Sequence, residues 1–500
     1  MSELFVGIDS GTQGSKVLII AREQRAIVAE AYAAHELIED NHGKREQAPA
    51  WWIAAISVAL ADAFKKSKLN PKKVRAIGVS GQQHGFVPLD KTGSVIRPAK
   101  LWCDTATAAE ANALTKRLGG EEKVVDLIGN TIAVGFTASK IEWLKKHEPA
   151  NYAKLTTILL PHDYINFWLT GERKTEFGDA SGTAYFDVRR RKWSEEILRA
   201  IDDSGKLTAC LPAFVQADEP VGKIHPQIAR QFGFDGAVLV SSGGGDNMMA
   251  AIGTGNVAAG VVTASLGTSG TIYCFADQPV VDRQGELAAF CSSDGHWLPL
   301  VCTMNVTVST ELTRSLLNMD IHALNKNVEK AAVGAEGLLL LPYFNGERTP
   351  ALPNARATLF GMSRTNYTPE NLCRAAMEGA TFGLRYGLDV LKRNGMTPGE
   401  IRLVGGGAKS KVWRQIVADI FNCPVICPIT REAGALGAAL QALWCFSRAQ
   451  GEKTSLKEIT DEFVSLDRET AAEPNPRHAE IYGELYQKYL KLNEQAKPLY

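Results

Sequence analysis

Five hundred residues exceed what one ordinary core buries, and at about 150 residues per domain the chain predicts two to four domains. Its 45% hydrophobic and 22% charged content excludes a disordered chain or a fibre. Lys plus Arg (55) balances Asp plus Glu (55), and this neutral charge argues against a broad phosphate-backbone footprint, so no nucleic acid partner is expected.

The N-terminus carries Glu3 and Asp9 without a positive stretch, so it is not read as a signal peptide. Leu4 to Ile8 is apolar, Asp9 to Lys16 is a glycine turn, and Val17 to Ile20 is apolar again. That pattern predicts a β-hairpin. Helical periods follow at Trp52 to Phe64 and Phe136 to Lys146, with a buried strand at Val74 to Ser80 before the loop Gly81-Gln82-Gln83-His84-Gly85. Mixed elements of this kind predict an α/β architecture.

The middle of the chain restarts the opening. Val238 to Ser241 predicts a strand, and Gly243 to Asn247 a loop. Ala264 to Ile272 then repeats the first hairpin, with Gly11 aligned on Gly267, Thr12 on Thr268 and Asp9 on Ser265. The repeat predicts a duplicated fold with a boundary near residue 247: domains 1–247 and 248–490, and a tail 491–500. Only the first copy carries the acid.

Further on, Ile401 to Val404, Gly405-Gly406-Gly407 and Lys409 to Phe421 read as strand, turn and helix, with an apolar stripe of Val412, Trp413, Ile416, Val417 and Ile420. Ala433 to Phe446 reads as a buried helix whose Gly434 and Gly437 allow close packing; it falls short of the ~18 apolar residues a membrane span needs. No membrane partner is expected. Beyond Thr454 the pattern is charged and helical. Nine cysteines without tight spacing suggest reduced thiols and a cytoplasmic location.

Glycine turns let backbone N–H groups approach an anion. There is neither a P-loop, nor a dinucleotide fingerprint after a strand, nor a protein-kinase catalytic loop. What remains is a pair of hairpins, Thr12, Ser15 and Lys16 on one side and Gly267, Thr268 and Ser269 on the other, that could grip a triphosphate. Asp9, at a strand end beside the first turn, has the chemistry to hold Mg2+ through water.

The stretches Gly7 to Lys16, Gly78 to Gly85, Gly135 to Leu144, Gly243 to Asn247, Ser265 to Gly270, Gly346 to Pro350, Ala357 to Glu378 and Val404 to Asp419 resemble the FGGY carbohydrate kinases of the actin-like ATPase superfamily. The resemblance implies two duplicated ribonuclease-H-like domains around a central cleft. It implies transfer of the ATP γ-phosphoryl to a sugar hydroxyl, with D-xylulose the expected sugar. Another ketose such as ribulose, or glycerol, is the alternative, and a non-sugar actin-like ATPase a more distant one. Asp246 is implied as the general base, with Asp9 as the second catalytic carboxylate and metal ligand. Gln83, His84, Trp102, Asp104 and Asn247 are implied as sugar contacts. Gly11, Thr12, Gln13, Ser15, Lys16, Gly267, Thr268, Gly406, Gly407 and Lys411 are implied as contacts of Mg-ATP. Gln83 and Cys103 depart from the D-xylulose branch of the family, which has Met and Asn there. No role follows for Glu347 and Arg348. Closure of the cleft on the sugar is expected, and a homodimer is suggested by relatives.

Overall fold

The computed structural model describes residues 2–500. The chain opens with β1 (Leu4–Ser10), β2 (Gly14–Ala21) and β3 (Ala26–Ala34), an antiparallel ribbon in which Asp9 pairs with Lys16 and Ser10 with Ser15. Helix α1 (Pro49–Ser67) begins on a proline, whose fixed φ suits a first helical turn. Strand β4 (Val74–Gly81) then runs parallel to β1. After α2 (Thr137–His147) and α3 (Pro161–Thr170), the strands β5 (Pro220–Lys223), β6 (Leu239–Ser241) and β7 (Gly244–Gly245) complete a seven-stranded sheet. Its order is β5-β6-β4-β1-β2-β3, with β7 also on β4.

The glycines expected as a loop at 243–245 thus hold a short strand, and Asp246 opens α4 (Asp246–Gly253) directly after it. The physical reason is room. A Cβ on Gly244 would sit 2.1 Å from Ser293 Oγ, and one on Gly245 2.6 Å from Gln83 Cγ. Only glycine lets this strand approach its neighbours so closely.

The second half repeats the plan with β8 (Val261–Leu266), β9 (Gly270–Cys274) and β10 (Leu300–Thr303). The long helix α5 (Pro369–Arg393) leads to β11 (Glu400–Val404), parallel to β8, and α6 (Lys411–Phe421). Strand β12 (Val425–Pro428), α7 (Ala433–Ala449), α8 (Leu456–Phe463), β13 (Leu466–Ala472) and α9 (Pro476–Ala496) close the chain. The six-stranded order is β10-β9-β8-β11-β12-β13. Strand β13 interrupts the region read as helical. Its sequence LDRETAA is charged because it is an edge strand facing solvent.

Alternation along β1 decides what covers each face. Val6 and Ile8 pack with Ile56 and Leu60 of α1, while Phe5 points the other way, onto Ala435, Ala438 and Ala439 of α7. Helix α7 therefore crosses from the second half to cover the first sheet. A glycine seam permits the approach. A Cβ on Gly7 would lie 1.8 Å from the Ala435 carbonyl oxygen, one on Gly78 2.0 Å from that of Ala438, and one on Gly437 1.8 Å from that of Met249 in α4. Helices α4 and α7 thus cross at backbone contact, which brings Asp246, at the head of α4, beside β1 and β4.

Candidate active site

Two neighbouring cavities open along this seam. The larger, about 900 Å³, is lined by Asp9, Gly11, Thr12, Gln13, Lys16 and Glu432 among others. The smaller, about 480 Å³, is lined by Gln83, His84, Phe136, Asp246, Asn247, Ser265, Ser269 and Arg348 among others. Trp102 lines both, and its indole N–H donates to Thr12 Oγ1 at 3.1 Å. The two hairpins do not line one cavity, as a clamp would. The first lines the larger and the second the smaller, and the indole is the wall between them.

Asp246 is held by its neighbour. Its Oδ1 accepts from Asn247 N at 2.8 Å and Asn247 Nδ2 at 3.0 Å, and the same Nδ2 donates to Gln83 Oε1 at 2.7 Å. Burial, reinforced by the negative charges of Asp9 and Asp179, pushes the Asp246 carboxyl up to about 7. Such a group is a stronger base than an ordinary carboxylate and still partly ionised at neutral pH. Asp9 is also raised, by burial, against the lowering effect of the Ser80 hydroxyl donating to Oδ1 at 2.7 Å. Lys16 forms an ion pair with Glu432 at the cavity wall.

His84 adopts a left-handed backbone, φ 58°, and its ring packs against Phe136 and Phe290. Burial lowers its pKa. Gln83 Nε2 lies 3.1 Å from Met248 Sδ.

Seven expected contacts line neither cavity: Ser15, Asp104, Gly267, Thr268, Gly406, Gly407 and Lys411. Ser15 is fully buried, and its hydroxyl shares a 3.0 Å hydrogen bond with Ser10 Oγ across the hairpin rather than facing a phosphate. Asp104 is also fully buried: it takes Arg45 N at 2.9 Å and Ala106 N at 3.2 Å, and pairs with Lys100 Nζ at 3.1 Å. Its oxygens are spent on these partners, and it lines neither cavity.

In the second half, Gly267 and Thr268 offer their carbonyls to Thr307 N and Val306 N, at 2.9 and 3.0 Å. The turn at 405–407 leaves the same sheet edge, since Ser265 pairs with Val404. A Cβ on Gly407 would meet Leu266 Cβ at 2.8 Å, so the two turns lie against each other. Gly406 and Lys411 are exposed there.

Residues that sequence reading left without a role also enter. Arg348 lines the smaller cavity, while the Glu347 carboxylate anchors its loop by accepting from Met304 N at 2.7 Å and Asn305 Nδ2 at 3.2 Å. Lys140 and Asp179, both fully buried, surround His84, and Glu432 faces Lys16. The Lys140 ammonium is pushed down by burial to about 7. A lone acid before an apolar helix was the visible signal for Glu432; Asp179 carried none.

Comparison with known proteins gives matches to both halves. The sequence model of the FGGY family of carbohydrate kinases, N-terminal domain, matches residues 4–253, and that of the C-terminal domain matches 262–446. The chain is 47% identical to a xylulose kinase of Haemophilus influenzae, over 97% of this chain and 99% of that one. Among solved structures it is similar to the xylulose kinase of Bifidobacterium adolescentis, at 33% identity and a TM-score of 0.83, covering 97% of this chain and 99% of that one. A Brucella ovis structure described as a xyloylose kinase superposes with a TM-score of 0.92 at 28% identity, each chain covered in full.

Proposed function

The chain belongs to the FGGY family of carbohydrate kinases and is a sugar phosphotransferase that uses ATP; on that premise we propose that it phosphorylates D-xylulose to D-xylulose 5-phosphate. The observation that carries the chemistry is Asp246, seated at the head of α4 in a cavity with Gln83, His84 and Asn247 and held near neutrality by burial. The sugar itself is supported by the full-length likeness to xylulose kinases.

The sugar occupies the smaller cavity, its carbons against Trp102 and Phe136 and its hydroxyls toward Gln83, His84 and Asn247. Asp246 accepts the proton of the attacking hydroxyl as that oxygen bonds to the γ-phosphorus of ATP and the bond to the bridging oxygen of ADP breaks. The ATP phosphates lie at the larger cavity along Gly11, Thr12, Gln13 and Lys16, and the nucleotide extends beyond it to the adjoining turns of the second half, with Gly267 and Thr268 on one and Gly406, Gly407 and Lys411 on the other. Lys16 exchanges Glu432 for phosphate oxygens. Closure of residues 1–247 against residues 248–490 excludes water, a competing phosphoryl acceptor.

Asp9 fits a hard cation. It is a carboxylate at the cavity wall, and a Cβ at Gly434 would lie 3.0 Å from its carboxyl carbon, so the helix leaves that side of the acid clear. Among the described residues no cluster of three His, Cys, Asp or Glu side chains forms a protein-only metal cage. This donor set suits Mg2+, which takes one or two carboxylates with phosphate oxygens and water. When bound, Mg2+ neutralises charge on the transferring phosphates.

ADP release coupled to a dehydrogenase readout, compared across D-xylulose, D-ribulose, L-ribulose, glycerol and no sugar, tests the reading. D-xylulose is expected to give the highest kcat/KM. A higher value for any other substrate overturns the D-xylulose assignment, and no stimulation by any sugar overturns the sugar cavity.

A further inference from the structure

The environment of His84 is built more heavily than its place in a loop requires. Asp179 Oδ1 accepts from both the His84 backbone N–H, at 3.0 Å, and His84 Nδ1, at 3.1 Å. The His84 carbonyl accepts from Lys140 Nζ at 2.6 Å and Thr137 Oγ1 at 3.1 Å. The ring packs on Phe136 and Phe290, and a Cβ on Gly182 would fall 1.8 Å from it. Backbone donor, backbone acceptor, ring nitrogen and ring faces are therefore all fixed.

Asp179 is itself fixed. Its other oxygen faces His162 Nδ1 at 3.1 Å, and His162 Nε2 lies 2.9 Å from Asp163 Oδ1. Its own N–H donates to Glu176 Oε1 at 2.6 Å. Asp179, His162 and Asp163 are all almost fully buried. The His162 ring is raised toward its charged form by Asp163 and Asp179 despite its burial, and the two histidines hold Asp179 well below the usual carboxylate range. An ionised carboxylate only accepts, so the nitrogen of His84 that meets it must carry the hydrogen. The neutral imidazole then leaves Nε2 as a bare acceptor.

We propose that Asp179 is a positioning residue of the sugar site, which locks His84 in the Nδ1–H tautomer so that Nε2 accepts a hydrogen bond from one sugar hydroxyl. This rests on the smaller cavity being the sugar site and not on which sugar fills it. The lock makes that hydroxyl a specificity element. A site built to bond a hydroxyl rejects an analogue lacking it by far more than an apolar pocket does, because the polar group is left unpaired.

The test uses the substrate with the highest kcat/KM in the panel and its set of monodeoxy analogues, on the wild type and on Asp179→Asn. The asparagine keeps the shape but presents an amide hydrogen to one of its two histidines. In the wild type one deoxy analogue is expected to lose about 10²-fold or more in kcat/KM beyond the others. In Asp179→Asn that discrimination is expected to collapse to within about tenfold, with sugar KM raised and ATP KM unchanged. Unchanged discrimination in a folded variant overturns the proposal, since a merely structural role would scale all analogues alike. Nitrogen-15 spectra of histidine-labelled wild type, assigned by loss of one ring in His84→Gln, need no activity and no stable Asp179 variant. A protonated Nδ1 and bare Nε2 at His84 are expected, and the opposite tautomer overturns the proposal even if the chain accepts none of the sugars.

Discussion

Strands β1 and β2 turn through Gly11 to Gly14 as β8 and β9 turn through Gly267 to Gly270, and each hairpin leans on a parallel strand, β4 in one half and β11 in the other. The backbones repeat; the side chains do not. At matched positions the first hairpin has Asp9, hydrogen-bonded by Ser80 and flanked by Lys16, and the second has Ser265. The first lines the larger cavity and the second joins Asp246 in the smaller. A duplicated scaffold thus supplies two similar turns, and in the proposed mechanism the chemistry comes from breaking the symmetry: one carboxylate on a hairpin, another at the head of the helix that links the halves.

The sharpest way to probe that asymmetry is to remove the linking carboxylate. Asp246→Ala is expected to lower turnover by about 10²–10⁴, the range of a lost general base, with sugar and nucleotide still binding. In the wild type kcat/KM is expected to fall as pH drops below about 7, because protonation removes the acceptor. Turnover within tenfold of wild type in steady-state ADP release would remove Asp246 from the chemistry.

The hairpins themselves come next. Asp9→Asn is expected to weaken divalent-cation binding in the presence of nucleotide by about 10–100-fold, read from a Mn2+ titration by electron paramagnetic resonance. Ser265→Ala, its counterpart, is expected to change that binding less than about threefold, since a neutral hydroxyl makes a poor cation ligand. Equal effects would mean that the two hairpins are equivalent after all.

A third probe addresses the seam. Gly437→Ala places a methyl group where the Met249 carbonyl already stands and is expected to cost about 1–3 kcal/mol in urea unfolding. Gly434→Ala meets only the Asp9 carboxylate and is expected to disturb cation binding more than stability. The reverse ranking would show that the seam is not set by backbone contact between α4 and α7.

The glycine turns, both hairpins and the stripe on α6 were legible because their periods are local. Trp413, Ile416, Val417 and Ile420 are indeed buried on one face. The crossing of α7 was not legible: Gly434 and Gly437 announce a close approach but not to which sheet. Ser15 was misplaced although the signal was present. In a strand neighbouring side chains point to opposite faces, so with Lys16 toward the cavity Ser15 must point away. Asp179 could not be found locally, because it acts on His84 from 95 residues away. Phe290 and Arg348 reach the smaller cavity only because the second half folds over the first. The edge strand β13 hid behind its charges.

The finest distinction between the two regions lies in stability. Asp246 has a folded pKa of about 7 against an ordinary value of 3.8, so between those limits the folded protein keeps a proton that the unfolded chain has released. Stability from this group is therefore full below pH 3.8, declines as pH rises, and is lost above about 7. Asp246→Asn, neutral at every pH, escapes that loss. Its melting temperature is expected to match wild type near pH 4 and to exceed it by on the order of 1–3 °C at pH 8. Glu176, also raised by burial, slopes the same way in both proteins, so the difference between the two melting curves reports Asp246 together with its charge coupling to Asp9. A gap that does not widen from pH 4 to pH 8 would mean that this carboxylate is solvated like any surface acid. Its basicity would then have to come from the closed, sugar-bound state rather than from the cavity described above.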